Sequence, residues 1–232
     1  LGAVGLCFPF IVIISAFSGL FGTGGAPLFS IYRGRKDQAG ARKIMNTSFT
    51  MLFLSGVILM TIGLIFAKPI LVLFGASENA LTYACPYMMI YLTGTLPSMI
   101  ALGMNPFINA QGYSLIGMLS VTIGAVSNLI LDPLFIFALG FGVRGAAIAT
   151  IISQFLSALF VIVFLTGKSE LKVRFLRKAE VPSCIKYAKN ITSLGTAAFI
   201  MQVTNSLVTI CCNNVLAVTG GDIYISVMTI VS

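Results

Sequence analysis

The chain has 232 residues, 58% of them hydrophobic and 9% charged, with a formal charge of +8. Soluble domains hold roughly a quarter charged residues, and apolar runs longer than about 18 residues read as membrane spans. The composition therefore excludes a soluble globule and specifies an all-α, polytopic transmembrane helical bundle, while the absence of histidine removes His-based metal sites, His general bases and the Ser-His-Asp arrangement.

In chain order, apolar segments fall at 3–30, 46–74, 85–110, 115–139, 143–165 and 191–218, and a seventh opens near 223. Each complete run is long enough to cross a hydrocarbon core of about 30 Å at about 1.5 Å per residue. Pro9, Pro97, Pro106 and Pro133 lie inside runs and predict bent helices, because neighbouring helices satisfy the backbone groups that proline frees. The small-residue stretches "FGTGGA" (21–26) and "GVRGAAIAT" (142–150) predict close helix–helix approach. The five cysteines show no CxxC pairing or metal spacing, and the four in or beside apolar runs read as small buried fillers.

Charge fixes the orientation. The loop "YRGRKDQAGARK" and the segment 166–190 together hold 12 of the 14 Lys and Arg residues, leaving Lys68 and Arg144 for the other face. The positive-inside rule makes 31–45 and 166–190 cytoplasmic, and alternation through the runs agrees. Topology thus accounts for the basic charge, so nucleic acid is not an expected partner; membrane lipid is. Segment 166–190 reads as a solvated connector in preference to a surface helix on anionic lipid. Asn46-Thr47-Ser48 and Asn190-Ile191-Thr192 match the glycosylation sequon, but on the cytoplasmic side they read as chance matches. No basic n-region precedes the first apolar run, and the last residues stop inside another; the sequence is expected to be part of a longer protein.

Of six acidic residues, Asp37, Glu78, Glu170, Glu180 and Asp222 fall in expected loops, and Asp132 alone falls within a span, in "SNLILDPLFIF". A carboxylate at a helix centre costs roughly 2.5 to 3.5 kcal/mol on insertion scales, and such residues usually face a cavity on an ion or substrate pathway. Asn128 stands four residues before Asp132, on the same helix face. Pro133 lacks an N–H and frees the carbonyl of Leu129. Thr150, in the next run, is displaced from its span centre toward the same outer face as Asp132, each by about 6 to 7.5 Å at helical rise. A short link, "GFGV", makes the two runs neighbours. A carboxylate, an amide oxygen, a hydroxyl and the freed Leu129 carbonyl at one depth suit either a hard cation such as Na+ or a carboxyl group that carries a proton between environments.

"GTGGAPLFSIYRGRKDQAGARK", "NPFINAQGY" and above all "SNLILDPLFIFALGFGVRGAAIATIISQ" resemble the MATE family of multidrug and toxin extrusion transporters along essentially the whole chain. The resemblance implies twelve helices in two six-helix lobes. Residues 1–165 would supply helices two to six of the amino-terminal lobe, 166–190 the cytoplasmic interlobe linker, and 191–232 the start of the second lobe. The first helix and the rest of the second lobe would be the missing partners within the same protein. It implies a cation site at Asn128, Asp132 and Thr150, with a first-helix Asp that has no counterpart here. It further implies H+ or Na+ as coupling ion, no other cofactor, and export of organic, often cationic, compounds across the cell membrane. Met104, Asn105, Gln154 and Gln202 are the expected substrate contacts on this half.

The alternatives are weaker on the residues. A lipid-linked precursor flippase of the same superfamily would want basic residues inside the cavity, and neither Lys68 nor Arg144 lies mid-span. An intramembrane aspartyl protease needs two carboxylates sharing a proton, and only Asp132 has the depth. A channel would show a charged ring or filter loop.

Overall fold

The computed structural model describes residues 2–176 and 180–231, and among them the regular elements are all helical: α1 Gly2–Gly34, α2 Gln38–Leu73, α3 Glu78–Thr93, α4 Thr95–Ala110, α5 Ser114–Pro133, α6 Gly142–Gly167 and α7 Val181–Val231. Five helices are long and apolar enough to span a bilayer, and α3 with α4 makes a sixth span bent by 54°. Asp37 and Ser77 start α2 and α3 by accepting from the N–H groups of Gly40 and Ala80 at 2.9 and 3.1 Å, the usual way of satisfying a first-turn donor.

Proline places the irregularities. Pro97 sits in the first turn of α4 and has no N–H for the carbonyl of Thr93, where α3 ends. After Pro133 the helix widens into a π turn over Leu134–Ala138, with the Leu139 N–H reaching back five residues to the Leu134 carbonyl at 2.9 Å. By contrast, α1 and α4 continue as single helices through Pro9 and Pro106. The sharpest local departure in α2, at Phe66 (φ −108°, ψ 19°), belongs to Pro69, a proline not singled out in the sequence. The Pro69 ring crowds the carbonyl of Ile65, so the backbone gives way one residue later.

Glycine sets how closely the helices cross. A Cβ on Gly22 of α1 would stand 2.5 Å from the Gly103 carbonyl oxygen of α4, and one on Gly24 would run into the backbone of Ile191 and Gly195 of α7. Helix α1 is thus clasped between α4 and α7 through "FGTGGA", the contact expected of small residues in membrane helices. The core beside it is apolar: Phe29 and Phe107 meet edge to face at 5.6 Å, with Leu52 and Met99 fully buried. On the outside, Leu129 and Phe137 are 74% and 80% exposed, as side chains facing lipid should be.

Three sequence expectations change here. Helix α7 runs unbroken through Val231, so the turn expected at 219–222 and the separate seventh span near 223 are absent, and Asp222 lies in a helix. Glycines there are compatible with a continuous membrane helix. The basic connection is not a solvated connector throughout: Leu171 and Val173 are buried, residues 172–176 are irregular, and helix α7 opens at Val181. Arg177 and Lys178 lie outside the described residues. Of the cysteines expected as buried fillers, Cys7 is buried, whereas Cys211 is exposed; Cys184, in the basic connection, is buried as well.

The connection is pinned by side-chain acceptors on the bundle. The N–H groups of Leu171, Arg174 and Leu176 donate to Gln111 Oε1 at 3.0 Å, Asn46 Oδ1 at 2.9 Å and Thr50 Oγ1 at 3.3 Å. Phe175 lies against Phe49 and Phe53. Arg33 pairs with Glu170 and donates to the Ala110 carbonyl at 2.9 Å. The two basic regions therefore meet at one end of the bundle. Lys68 and Glu78 share a cavity at the opposite end, and Arg144 lines the one beside it. Asn46, read as a chance sequon, is 2% exposed and is one of the pins.

Candidate functional site

The site is made where α5 meets α6. Gly145 of α6 approaches the end of α5 so closely that a Cβ there would lie 2.6 Å from the Phe135 carbonyl oxygen. Ala147 and Ala149 add no bulk and are fully buried. The turn between the helices uses Gly140 and Gly142 at φ 68° and 54°, values that side chains resist. Small residues on one helix and a tight turn thus bring the polar face of α5 against that of α6.

Asn128, Asp132 and Thr150 come together there, each half-buried. Asn128 Nδ2 lies 3.3 Å from Asp132 Oδ1 and 3.4 Å from Thr150 Oγ1. The Thr150 hydroxyl donates to the Ala146 carbonyl at 2.9 Å, which aims its lone pairs back toward the amide. Leu129 and Ile130, on the opposite face of α5, are exposed. The carboxylate therefore lies half-buried against Asn128, while Leu129 and Ile130 stand clear of the bundle.

A cavity of about 450 Å³, within the range of small-molecule sites, is lined by Asn128 and Thr150 but not by Asp132. Asn128, Thr150, Ser153, Gln154 and Ser157 line one side, and Asn105, Ala101 and Leu102 of α4 the other. Asn105 ties the walls, donating from Nδ2 to the Gly117 carbonyl at 2.8 Å and to Ser120 Oγ at 2.7 Å. Ser157 Oγ donates to the Ser120 carbonyl at 2.8 Å. None of the lining side chains is Lys or Arg.

Of the expected substrate contacts, Asn105 and Gln154 line this cavity. Met104 does not: it is 1% exposed in the core, because the residue next to Asn105 on a helix points about 100° away. Gln202 is half-buried on α7 and belongs to no wall of the cavity. Ser153 and Ser157 were missed in the sequence. Their signal is the spacing Thr150, Ser153, Ser157, an i, i+3, i+7 stripe on one face of α6.

The family model described as MatE matches residues 1–134. The chain is 29% identical over 220 residues to the multidrug export protein MepA of Staphylococcus haemolyticus, covering 95% of this chain and 48% of that protein. It is 27% identical to the MepA of Staphylococcus aureus, covering 88% of this chain and 45% of that protein. A multidrug-resistance MATE family transporter solved in an inward-facing conformation superposes with a TM-score of 0.90 at 28% identity, covering 99% of this chain and 52% of that one. An outward-facing structure of a MATE transporter gives 0.84 at 29% identity, with 99% and 51% covered. The chain spans about half the length of the curated relatives it matches.

Proposed function

The chain belongs to the MATE family, and from that premise we propose that it supplies the ion-responsive part of a cation-coupled exporter of organic, often cationic, compounds. It is a multi-pass membrane protein, not an enzyme. The observation that carries the proposal is the meeting of Asn128 with Asp132 and Thr150 across α5 and α6, beside a cavity that Asn128 and Thr150 line.

The separations of 3.3 and 3.4 Å suit a shared cation. Oxygens held about 2.3–2.6 Å from a hard ion at right angles stand about 3.3–3.7 Å apart. Half a turn of the Asn128 amide exchanges its nitrogen for its oxygen, so three oxygens then face one point. With H+ as the coupling ion, the same carboxyl group takes up the proton, and the Asn128 amide donates to it when the proton leaves. In either case the Asp132 charge is neutralised from one side of the membrane and restored from the other, and the membrane potential contributes about 2.3 kcal/mol per charge per 100 mV. The π turn beside Asp132 marks where α5 can change shape as that charge comes and goes.

The organic substrate contacts Asn105 and Gln154 in the adjoining cavity, with the remaining surface supplied by the rest of the transporter. The absence of Lys and Arg from its lining favours export of an organic cation over flipping of a pyrophosphate-linked lipid.

The test is efflux from vesicles containing the full-length transporter and its Asp132→Asn variant. An imposed H+ or Na+ gradient drives efflux in the first and fails in the second. Equal gradient-driven efflux from both would remove Asp132 from the coupling.

A further inference from the structure

At the cytoplasmic end lies a second cavity, of about 330 Å³, far from the carboxylate site. One wall is the opening of α2: Gln38, Ala39, Arg42, Lys43 and Asn46. The other is the pinned connection and the residue before α7: Leu171, Arg174, Leu176 and Glu180. Three cations thus line the cavity beside one carboxylate, and that carboxylate is held by Arg174 at 2.6 Å. Neither ion pair among the described residues uses Arg42 or Lys43. Arg33, by contrast, is satisfied by Glu170 and a carbonyl.

We propose that this cavity binds a phosphate group, presented by the headgroup of an anionic lipid or by free phosphate. Topology asks only that basic residues lie on this side; it does not ask that they line a common concavity. Here the far wall is fixed by hydrogen bonds from Arg174 N–H to Asn46 and from Leu176 N–H to Thr50, so the basic groups converge on a hollow that exists before any ligand arrives. Its depth also fits. Arg42 and Lys43 stand within one helical turn of residue 46, where the apolar run of α2 opens, placing the cavity near the level of lipid phosphates. Basic pockets between membrane helices on this face are suited to acidic headgroups.

Native mass spectrometry of the full-length transporter tests the proposal, using short-chain phosphatidylglycerol, with phosphatidylcholine as the neutral control. The wild-type protein retains phosphatidylglycerol in preference to phosphatidylcholine. The R42Q/K43Q variant loses about twentyfold of that preference, and Lys43→Gln alone about fivefold, from the worth of single basic residues near a membrane surface. The R35Q/K36Q variant removes the same charge from the same face outside the cavity, and it keeps the preference. Displacement of the lipid by millimolar inorganic phosphate assigns the pocket to free phosphate, and retention assigns it to lipid; both sustain the site. Equal retention of the two lipids, or equal loss in R35Q/K36Q, overturns it. If the double variant does not fold, the single variant decides.

Discussion

Three side chains on two helices make the candidate ion site, and their chemistry sets how each should respond to change. Thr150 contributes one oxygen, so Thr150→Val removes a ligand while keeping the shape. About tenfold more cation should then be needed for half-maximal efflux, the equivalent of roughly 1.4 kcal/mol, whereas Thr150→Ser should hold near wild type. A titration of efflux against cation concentration distinguishes them. The trio was readable in the sequence because helical spacing, a proline and a four-residue turn leave few ways to arrange it. Met104 was not, since a lone methionine carries no directional signal; only the register of its buried neighbours shows that it turns inward. Ser153 and Ser157 were readable in principle, but serine is common enough in membrane helices that a stripe of three stands out only once Thr150 anchors it.

Among the elements, the apolar runs declared themselves and the breaks did not. A run says how long a helix is, whereas a proline acts three or four residues upstream and only where the neighbours leave room. Hence α2 yields at Phe66 ahead of Pro69, while α1 passes Pro9 as one helix. Replacing Pro69 by Ala restores a donor for the Ile65 carbonyl, and α2 should straighten; a spin-label distance across Phe66 would report it. The buried course of the connection after α6 is not legible in the sequence because its hydrogen-bond partners are remote, Gln111 and Asn46 being 60 and 128 residues away. Gln111→Leu leaves the buried Leu171 N–H without an acceptor, at a cost of about 1–3 kcal/mol. Thermal unfolding of the intact transporter should register the loss, and a transition matching wild type would mean that the N–H finds another partner.

For the molecule as a whole, the charge asymmetry and the meeting of both basic regions at one end make a single claim about orientation. Cysteine placed at position 36 of a cysteine-free full-length protein should react with a membrane-impermeant reagent only from the cytoplasm, and at position 78 only from outside. The reversed pattern would invert the topology. Helix α7 lies along α1 and is joined to it through Gly24 and Gly195 and by the Ser206 hydroxyl on the Pro9 carbonyl at 2.9 Å, so a displacement of α1 should carry α7 with it. The strapped connection has a further consequence for variation. Its three anchoring bonds are given by main-chain amides, and the side chains that receive them belong to α2 and to the residue closing α4. Surface positions such as Lys172 can therefore drift without altering the path of the connection, whereas a change at Asn46, Thr50 or Gln111 would reroute it even if every residue from 171 to 176 stayed the same.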